Sequence, residues 1–319
     1  KHYTFILITL LSMFIFSFLS YKGIIYLSFF GLIICIILLI FTLLQNQVNN
    51  GASRWVNLFG YSLQPSEILK PFLVIIFSYY LTLKKNISIQ NISFSSKFCA
   101  FAVFLIVSCL LILQPNFSMI TILFFVFLSQ YFIAGLDLKW LTATFISITI
   151  FFLTAFYTLP HVKNRINNYL FSDKNNLQVE RSLDAYQAGG VFGKGISQGT
   201  IKKYIPDAHT DFIFPVIAEE YGAISCLIII ITIFGIFFRG LYRISKSNNL
   251  FAIVASSGLL VLFVIQALIN ISVSIKLIPT TGVTLPLISY GGSSLLSMGI
   301  LMGMLLAMTK RKYGGTVKV

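Results

Sequence analysis

Hydrophobic runs of 17 to 25 residues recur along the chain between short polar breaks, and each is long enough to cross about 30 Å of hydrocarbon. They predict nine helices, at about 4–20, 24–44, 66–84, 97–113, 117–135, 138–158, 213–239, 249–275 and 286–309. The fold class this pattern implies is all-α: a polytopic helical membrane protein, one integral-membrane domain over residues 1–319. A single large polar loop, at about 160–212, precedes the seventh span.

Cations orient the spans, because cytoplasmic loops carry an excess of Lys and Arg. One set of ends and short loops carries Lys22, Lys84, Lys85, Lys97, Lys139, Arg239, Arg243, Lys246, Lys310, Arg311, Lys312 and Lys318, and the opposite set only Arg54, Lys70 and Lys276. Twelve against three puts the C-terminus in the cytoplasm and, with nine spans, the first residue outside. An outside N-terminus without a leader is uncommon, so the pattern leads one to expect a further helix ahead of the first, giving ten spans with both ends inside. The large loop, with five of the nine acidic residues, then faces outward, as do the loop 45–65 and the turns at 114–117 and 276–286.

Composition agrees with this picture. At 57% hydrophobic and 10% charged, the chain lacks the polar surface to cover a soluble core of this size. The net charge of +14 follows from topology, and no basic run outside the tail reaches four residues, so nucleic acid is not a partner. Cys35, Cys99, Cys109 and Cys226 all lie in apolar runs, which suits neither a disulfide framework nor a zinc site.

Against this background the segment IKKYIPDAHTDFIFPVIAEEYG, residues 201–222, is anomalous: two lysines, four carboxylates and one of three histidines crowd where a polar loop meets an apolar span. Ionisable groups at a membrane boundary point to chemistry or transport. Asp211 is either a first-turn acid of the span or a carboxylate facing a partly apolar cavity, where a raised pKa suits a general base. His209 is either a helper or simply solvated.

Four further stretches carry polar groups. In GASRWVNLFGYSLQPSEILK, residues 51–70, Ser66 can cap the next helix and Glu67 can favour its dipole, but neither role accounts for Lys70 entering the membrane or for Arg54. Gln114-Pro115-Asn116-Phe117 reads by itself as a tight turn. GGVFGKGISQ, residues 189–198, is a connector or a close-approach loop, and not a phosphate loop of the Walker type. Gly291, Gly292, Ser293 and Ser294 head the last helix, where close helix packing and anion binding at a helix start are both open.

Taken together, GASRW…QPSEILK, LQPNF, AGGVFGKG, IPDAHTDFIFPVIAEEYG and TLPLISYGGSSLL resemble, in order and over nearly the whole chain, the SEDS family of bacterial wall synthesis. The resemblance is closer to its division branch than to its elongation branch. That family has ten spans, and its GA-x-RW motif follows the third helix; here two precede it, which again leads one to expect a missing first helix.

The resemblance implies a peptidoglycan glycosyltransferase joining lipid II into β-1,4-linked strands at the outer face of the cytoplasmic membrane, with undecaprenyl diphosphate released. It implies a class B penicillin-binding protein and other division proteins as partners, besides membrane lipid. The family's essential external aspartate falls on Asp211, the implied catalytic base of an inverting displacement. Groups expected to bind substrate are Arg54, Glu67, Lys70, Lys202, Lys203, His209, Ser293 and Ser294, with a divalent cation, magnesium or manganese, as a further means of stabilising the departing diphosphate; no metal ligands are assigned. One departure stands out: the family's usual Asp in LQPDF is Asn116 here, which keeps shape and hydrogen bonding but loses charge. Rival expectations are an elongation polymerase, a lipid II flippase, or a non-catalytic scaffold. A flippase calls for inverted repeats and midplane polar groups, whereas no internal repeat is evident and the polar groups favour one face.

Overall fold

The computed structural model describes residues 2–45, 54–58, 60–83, 87–89, 92–135, 157, 163, 167, 169 and 177–310. Among them are nine α-helices: α1 (His2–Phe18), α2 (Tyr21–Leu44), α3 (Pro65–Thr82), α4 (Ser96–Leu113), α5 (Phe117–Ile133), α6 (Leu177–Gly189), α7 (Ile213–Ile244), α8 (Leu250–Ser274) and α9 (Gly292–Thr309). Two small antiparallel hairpins accompany them, β1 (Val56–Leu58) with β2 (Tyr61–Leu63) and β3 (Ile87–Ile89) with β4 (Ile92–Phe94).

Helices α2, α4, α7, α8 and α9 are each long and apolar enough to cross a membrane. Of the expected span at 138–158, residue 157 alone is among the described residues. Three details differ from the pattern-based expectation. The last helix starts at Gly292 and not near 286, because Leu287 takes a left-handed φ of 64° and the chain turns before it. The seventh span continues past 239 to Ile244. The polar loop contains a 13-residue helix of its own, α6.

α3 lies at the centre. Fourteen of its 18 residues are buried, packed against α2, α4, α5, α8 and α9. It starts at Pro65, whose fixed φ preorganises a first helical position; Gln64 precedes it, so Ser66 sits inside the helix and does not cap it. α9 is equally buried, at 14 of 18 residues, and runs parallel to α1. A Cβ at Gly292, Gly299 or Gly303 would lie 2.4, 2.6 and 2.6 Å from Phe5, Thr9 and Met13 respectively, the close backbone approach that small residues permit in membranes.

Toward the ends of α3 and α5 and the start of α8, the buried Gln130 of α5 donates through Nε2 to Ser78 Oγ (2.6 Å) and Val74 O (2.9 Å) of α3 and to Val254 O (3.3 Å) of α8. Its amide occupies the space a Cβ at Gly258 would need, at 2.4 Å. α7, in contrast, exposes Tyr221, Ile224, Leu227, Ile228 and Ile231, and its helical geometry breaks once, at Gly222 (φ 79°, ψ 177°).

Candidate active site

The polar side chains converge at the end of the bundle formed by the starts of α3, α5, α7 and α9 and the end of α8. In α3, Glu67 and Lys70 stand three residues apart, and so on one helix face. Lys70 Nζ lies 2.8 Å from Glu67 Oε2, and both side chains are withdrawn from solvent. Lys70 also donates to Gln266 Oε1 at 2.6 Å. Gln266 Nε2 in turn donates to Thr284 O (3.2 Å), Thr284 Oγ1 (3.3 Å) and Ser294 Oγ (3.4 Å). The hydroxyls of Thr284 and Ser294 meet at 2.6 Å, and Ser297 Oγ donates to Glu67 O at 2.7 Å. A buried charge pair is tolerable only when its remaining polar groups are satisfied, and this chain of contacts across α3, α8 and α9 does that for the lysine.

Asp211 occupies the turn immediately before α7. Its backbone and those of its two predecessors are held from outside by successive hydrogen bonds: Asn270 Nδ2 donates to Asp211 O at 2.7 Å, Ser289 Oγ to Thr210 O at 2.6 Å, and Tyr290 N to His209 O at 2.8 Å. Asn270 Nδ2 also donates to Val283 O at 2.7 Å, which ties α8, the 282–291 segment and the aspartate together. The carboxylate passes over Gly282 (φ 71°), where a Cβ would lie 3.6 Å from Asp211 Oδ2. Burial first, and then the neighbouring carboxylates of Asp207 and Glu67, push the Asp211 pKa from 3.8 up to about 6.

The structure thus gathers some of the sequence-nominated residues and not others. Glu67, Lys70 and Ser294 belong to one network, and Glu67 acts electrostatically on Asp211. Ser293 Oγ accepts from Gln64 N at 2.8 Å, bracing α9 against the α3 entry. Arg54 Nε donates to Gln114 O at 3.2 Å and its Nη2 to Pro115 O, so the stretches 51–70 and 114–117 meet. Asn116 is buried and donates through Nδ2 to Ser66 Oγ at 3.2 Å. The Lys202 ammonium rests on Glu220, while Lys203 and the His209 side chain are exposed.

Glu219, which the sequence left without a role, is fully buried and accepts from the backbone N–H groups of Thr200 (2.7 Å), Ile201 (2.9 Å) and Lys202 (2.9 Å). Sequence reasoning also missed Gln266 and Asn270. Their signal was present: two amide side chains four residues apart in an otherwise apolar helix, which puts them on one face.

The family model described as a cell cycle protein, FtsW/RodA/SpoVE, matches residues 1–314. The chain belongs to the FtsW/RodA/SpoVE family. Among relatives of this family member, the probable peptidoglycan glycosyltransferase FtsW of Caulobacter vibrioides (strain NA1000 / CB15N) is 38% identical over 83% of this chain and 67% of its own length. Stage V sporulation protein E of Bacillus subtilis (strain 168) is 32% identical over 88% of this chain and 78% of its own.

A solved structure concerned with the coordination of polymerization and crosslinking by a peptidoglycan synthase complex superposes with a TM-score of 0.78 at 25% identity, covering 97% of this chain and 88% of that one. The rod shape determining protein RodA of Thermus thermophilus shares the fold, with a TM-score of 0.70 at 23% identity over 98% of this chain and 88% of its own. This FtsW/RodA/SpoVE member is a multi-pass inner membrane protein.

Proposed function

We propose that this protein is a peptidoglycan glycosyltransferase of the division branch, polymerising lipid II with Asp211 as its base, and that the Asp211 end of the bundle faces outward while the end of α9 faces the cytoplasm. The observation that carries this reading is the Asp211 carboxylate: its backbone is fixed at three consecutive carbonyls and its pKa stands at about 6. A base poised near the working pH is the most effective proton acceptor. The names of the relatives support the same chemistry.

Asp211 takes the proton of the acceptor GlcNAc 4-hydroxyl as that oxygen bonds to the anomeric carbon of the donor MurNAc. The bond from that carbon to the diphosphate breaks, and undecaprenyl diphosphate leaves with the electron pair. An α-linked donor gives a β-1,4 product in this one inversion. A diphosphate departs without the protonation that a glycosidic oxygen needs, so a single carboxylate suffices.

Developing charge on the leaving group calls for positive potential at a fixed place. The start of α9 at Gly292 and Ser293 supplies backbone N–H groups suited to an anion, and Arg54 supplies a guanidinium at the same end. Lys70 is wholly buried against Glu67 and Gln266, so it acts through the local field and not by touching substrate. A resident magnesium or manganese ion fits the site poorly: Glu67 is already held by Lys70, and among the described residues no three His, Cys, Asp or Glu side chains gather into a ligand set. No step is assigned to a metal.

The distribution of charge favours an enzyme over a flippase. Among the described residues the buried charged side chains are Glu67, Lys70 and Glu219, all near the Asp211 end, and no charged path continues from them to the opposite face. A crosslinking transpeptidase of the class B penicillin-binding type is the expected partner, a reading supported by the likeness to the peptidoglycan synthase complex.

The test is polymerisation of labelled lipid II by purified protein. Asp211→Asn is expected to lower the rate by a factor of about 10² to 10⁴, the usual contribution of a positioned base, while leaving lipid II binding in place. Equal polymer from both proteins would overturn the assignment.

A further inference from the structure

The turn at residues 190–196 takes no part in the chemistry above, and its backbone is bonded to a membrane helix. Lys194 N and Gly195 N donate to the carbonyls of Glu219 and Glu220 at 2.9 and 3.0 Å, and Ala223 N and Ile224 N donate to the carbonyls of Gly190 and Val191 at 3.0 and 3.4 Å. These are the groups α7 releases where Gly222 interrupts its ladder. The two backbones touch: a Cβ at Gly193 would lie 2.3 Å from Glu220 O, and one at Gly222 would lie 2.2 Å from Val191 O. Gly193 N donates to Gly189 O at 2.8 Å, so three successive N–H groups of the turn are satisfied within the protein. Non-helical backbone is tolerated at membrane depth only on that condition.

The depth follows from α7. Between Gly222 and Arg239, the first cation toward its far end, lies a helical length of about 26 Å at about 1.5 Å per residue, against a hydrocarbon core about 30 Å thick. The turn is therefore level with the edge of the hydrocarbon. At that height the outward side chains of α7, Tyr221 and Ile224, are exposed, and they continue into Leu227, Ile228 and Ile231 below. Beside this lipid-facing flank the turn presents Val191, Phe192 and Ile196 at 57%, 82% and 70% exposure. Three large apolar side chains on one short turn, continuous with a lipid-facing helix, form one apolar surface.

We propose that residues 190–196 are a membrane-interface foot: Val191, Phe192 and Ile196 seat among the upper acyl chains of the leaflet at the Asp211 end, with the turn's backbone shielded by its bonds to α7. The occupant is the bilayer, because the patch adjoins the helix surface that the bilayer already covers and lies at the depth of its edge.

The chain contains two tryptophans, Trp55 and Trp140, so a single-indole probe is practical. In a full-length Trp55→Phe, Trp140→Phe background, Phe192→Trp places the probe on the turn and Ile228→Trp places a reference on the lipid-facing flank. Both proteins are reconstituted into phosphatidylcholine vesicles brominated either high or low on the acyl chains. The Phe192→Trp indole is expected to be quenched several-fold more by the high bromine than by the low, and to resist aqueous iodide. The Ile228→Trp indole is expected to respond more to the low bromine, which verifies insertion. Strong iodide quenching of the Phe192→Trp indole, with no response to either brominated lipid while the reference responds, would overturn the proposal. So would an indole open to iodide in vesicles and shielded only when a purified transpeptidase is added, because the turn would then be a protein-docking surface. No readout depends on glycosyltransferase activity, so the outcome is separate from the fate of that assignment.

Discussion

Asp211 combines a backbone pinned at one place with a side chain whose proton affinity its surroundings have raised. With the folded-state pKa moved from 3.8 to about 6, the carboxylate is largely protonated below that value. The polymerisation rate is therefore expected to rise with pH through about 6 and then level, and a kcat/KM profile measured between pH 5 and 8 would show this limb. The sign for stability is the opposite. A group whose pKa is raised by folding contributes stability at low pH that is lost as pH rises through the folded value, so Asp211→Asn is expected to raise the melting temperature of the detergent-solubilised protein at pH 8 while lowering its activity. Lys70 gives the reverse case. Lys70→Met leaves Glu67 buried without its cation and is expected to cost about 3–5 kcal/mol, whereas adding Glu67→Gln recovers part of that loss; denaturation midpoints of the single and double variants check both. In the sequence the Glu67–Lys70 pair stands out because charges are rare in apolar stretches, whereas Asp211 stands out from the three carboxylates near it only through the motif resemblance. The carbonyl clamp by Asn270, Ser289 and Tyr290 is not legible there, since it depends on segments some 60 to 80 residues apart being folded together.

Helices meet here through single small or polar residues, and those junctions carry the next expectations. Gln130 joins α5 to α3 and α8 by its amide, directly against Gly258. Gly258→Ala overpacks that junction and is expected to destabilise by about 1–3 kcal/mol, measured as a lower thermal midpoint, and adding Gln130→Ala should relieve the clash. Gly222 is constrained differently, by a positive φ and by contact with Val191 O; Gly222→Ala is expected to undock the 190–196 turn, seen as faster proteolysis between α6 and α7. Most helix positions follow from hydrophobic length, and their ends fall within a few residues of expectation. The exceptions have local causes. The last helix begins late because the segment before it is used to hold Asp211 and Gln266. α6 has no long apolar run to announce it, and the three-residue strands of the hairpins are too short for an alternating pattern to show.

The whole molecule is a central buried helix, α3, surrounded by others whose outer faces remain apolar, and among the described residues the buried charged side chains, Glu67, Lys70 and Glu219, lie at one end. The overall class and the choice of end are legible from hydropathy and charge, because the membrane imposes both. The partition within the bundle is not: α7, α8 and α9 are similarly apolar in sequence, yet α8 and α9 are largely buried and α7 largely exposed, a distinction made only by packing. The clamp over residues 209–211 also has a consequence in time. Turns at the end of a bundle ordinarily exchange their amide hydrogens with solvent rapidly, whereas hydrogen-bonded amides exchange only when the structure opens. The Tyr290 amide lies in a turn but is spent on His209 O, so it can exchange only when the aspartate's own support lets go. Its exchange rate is a clock for how often the site comes apart.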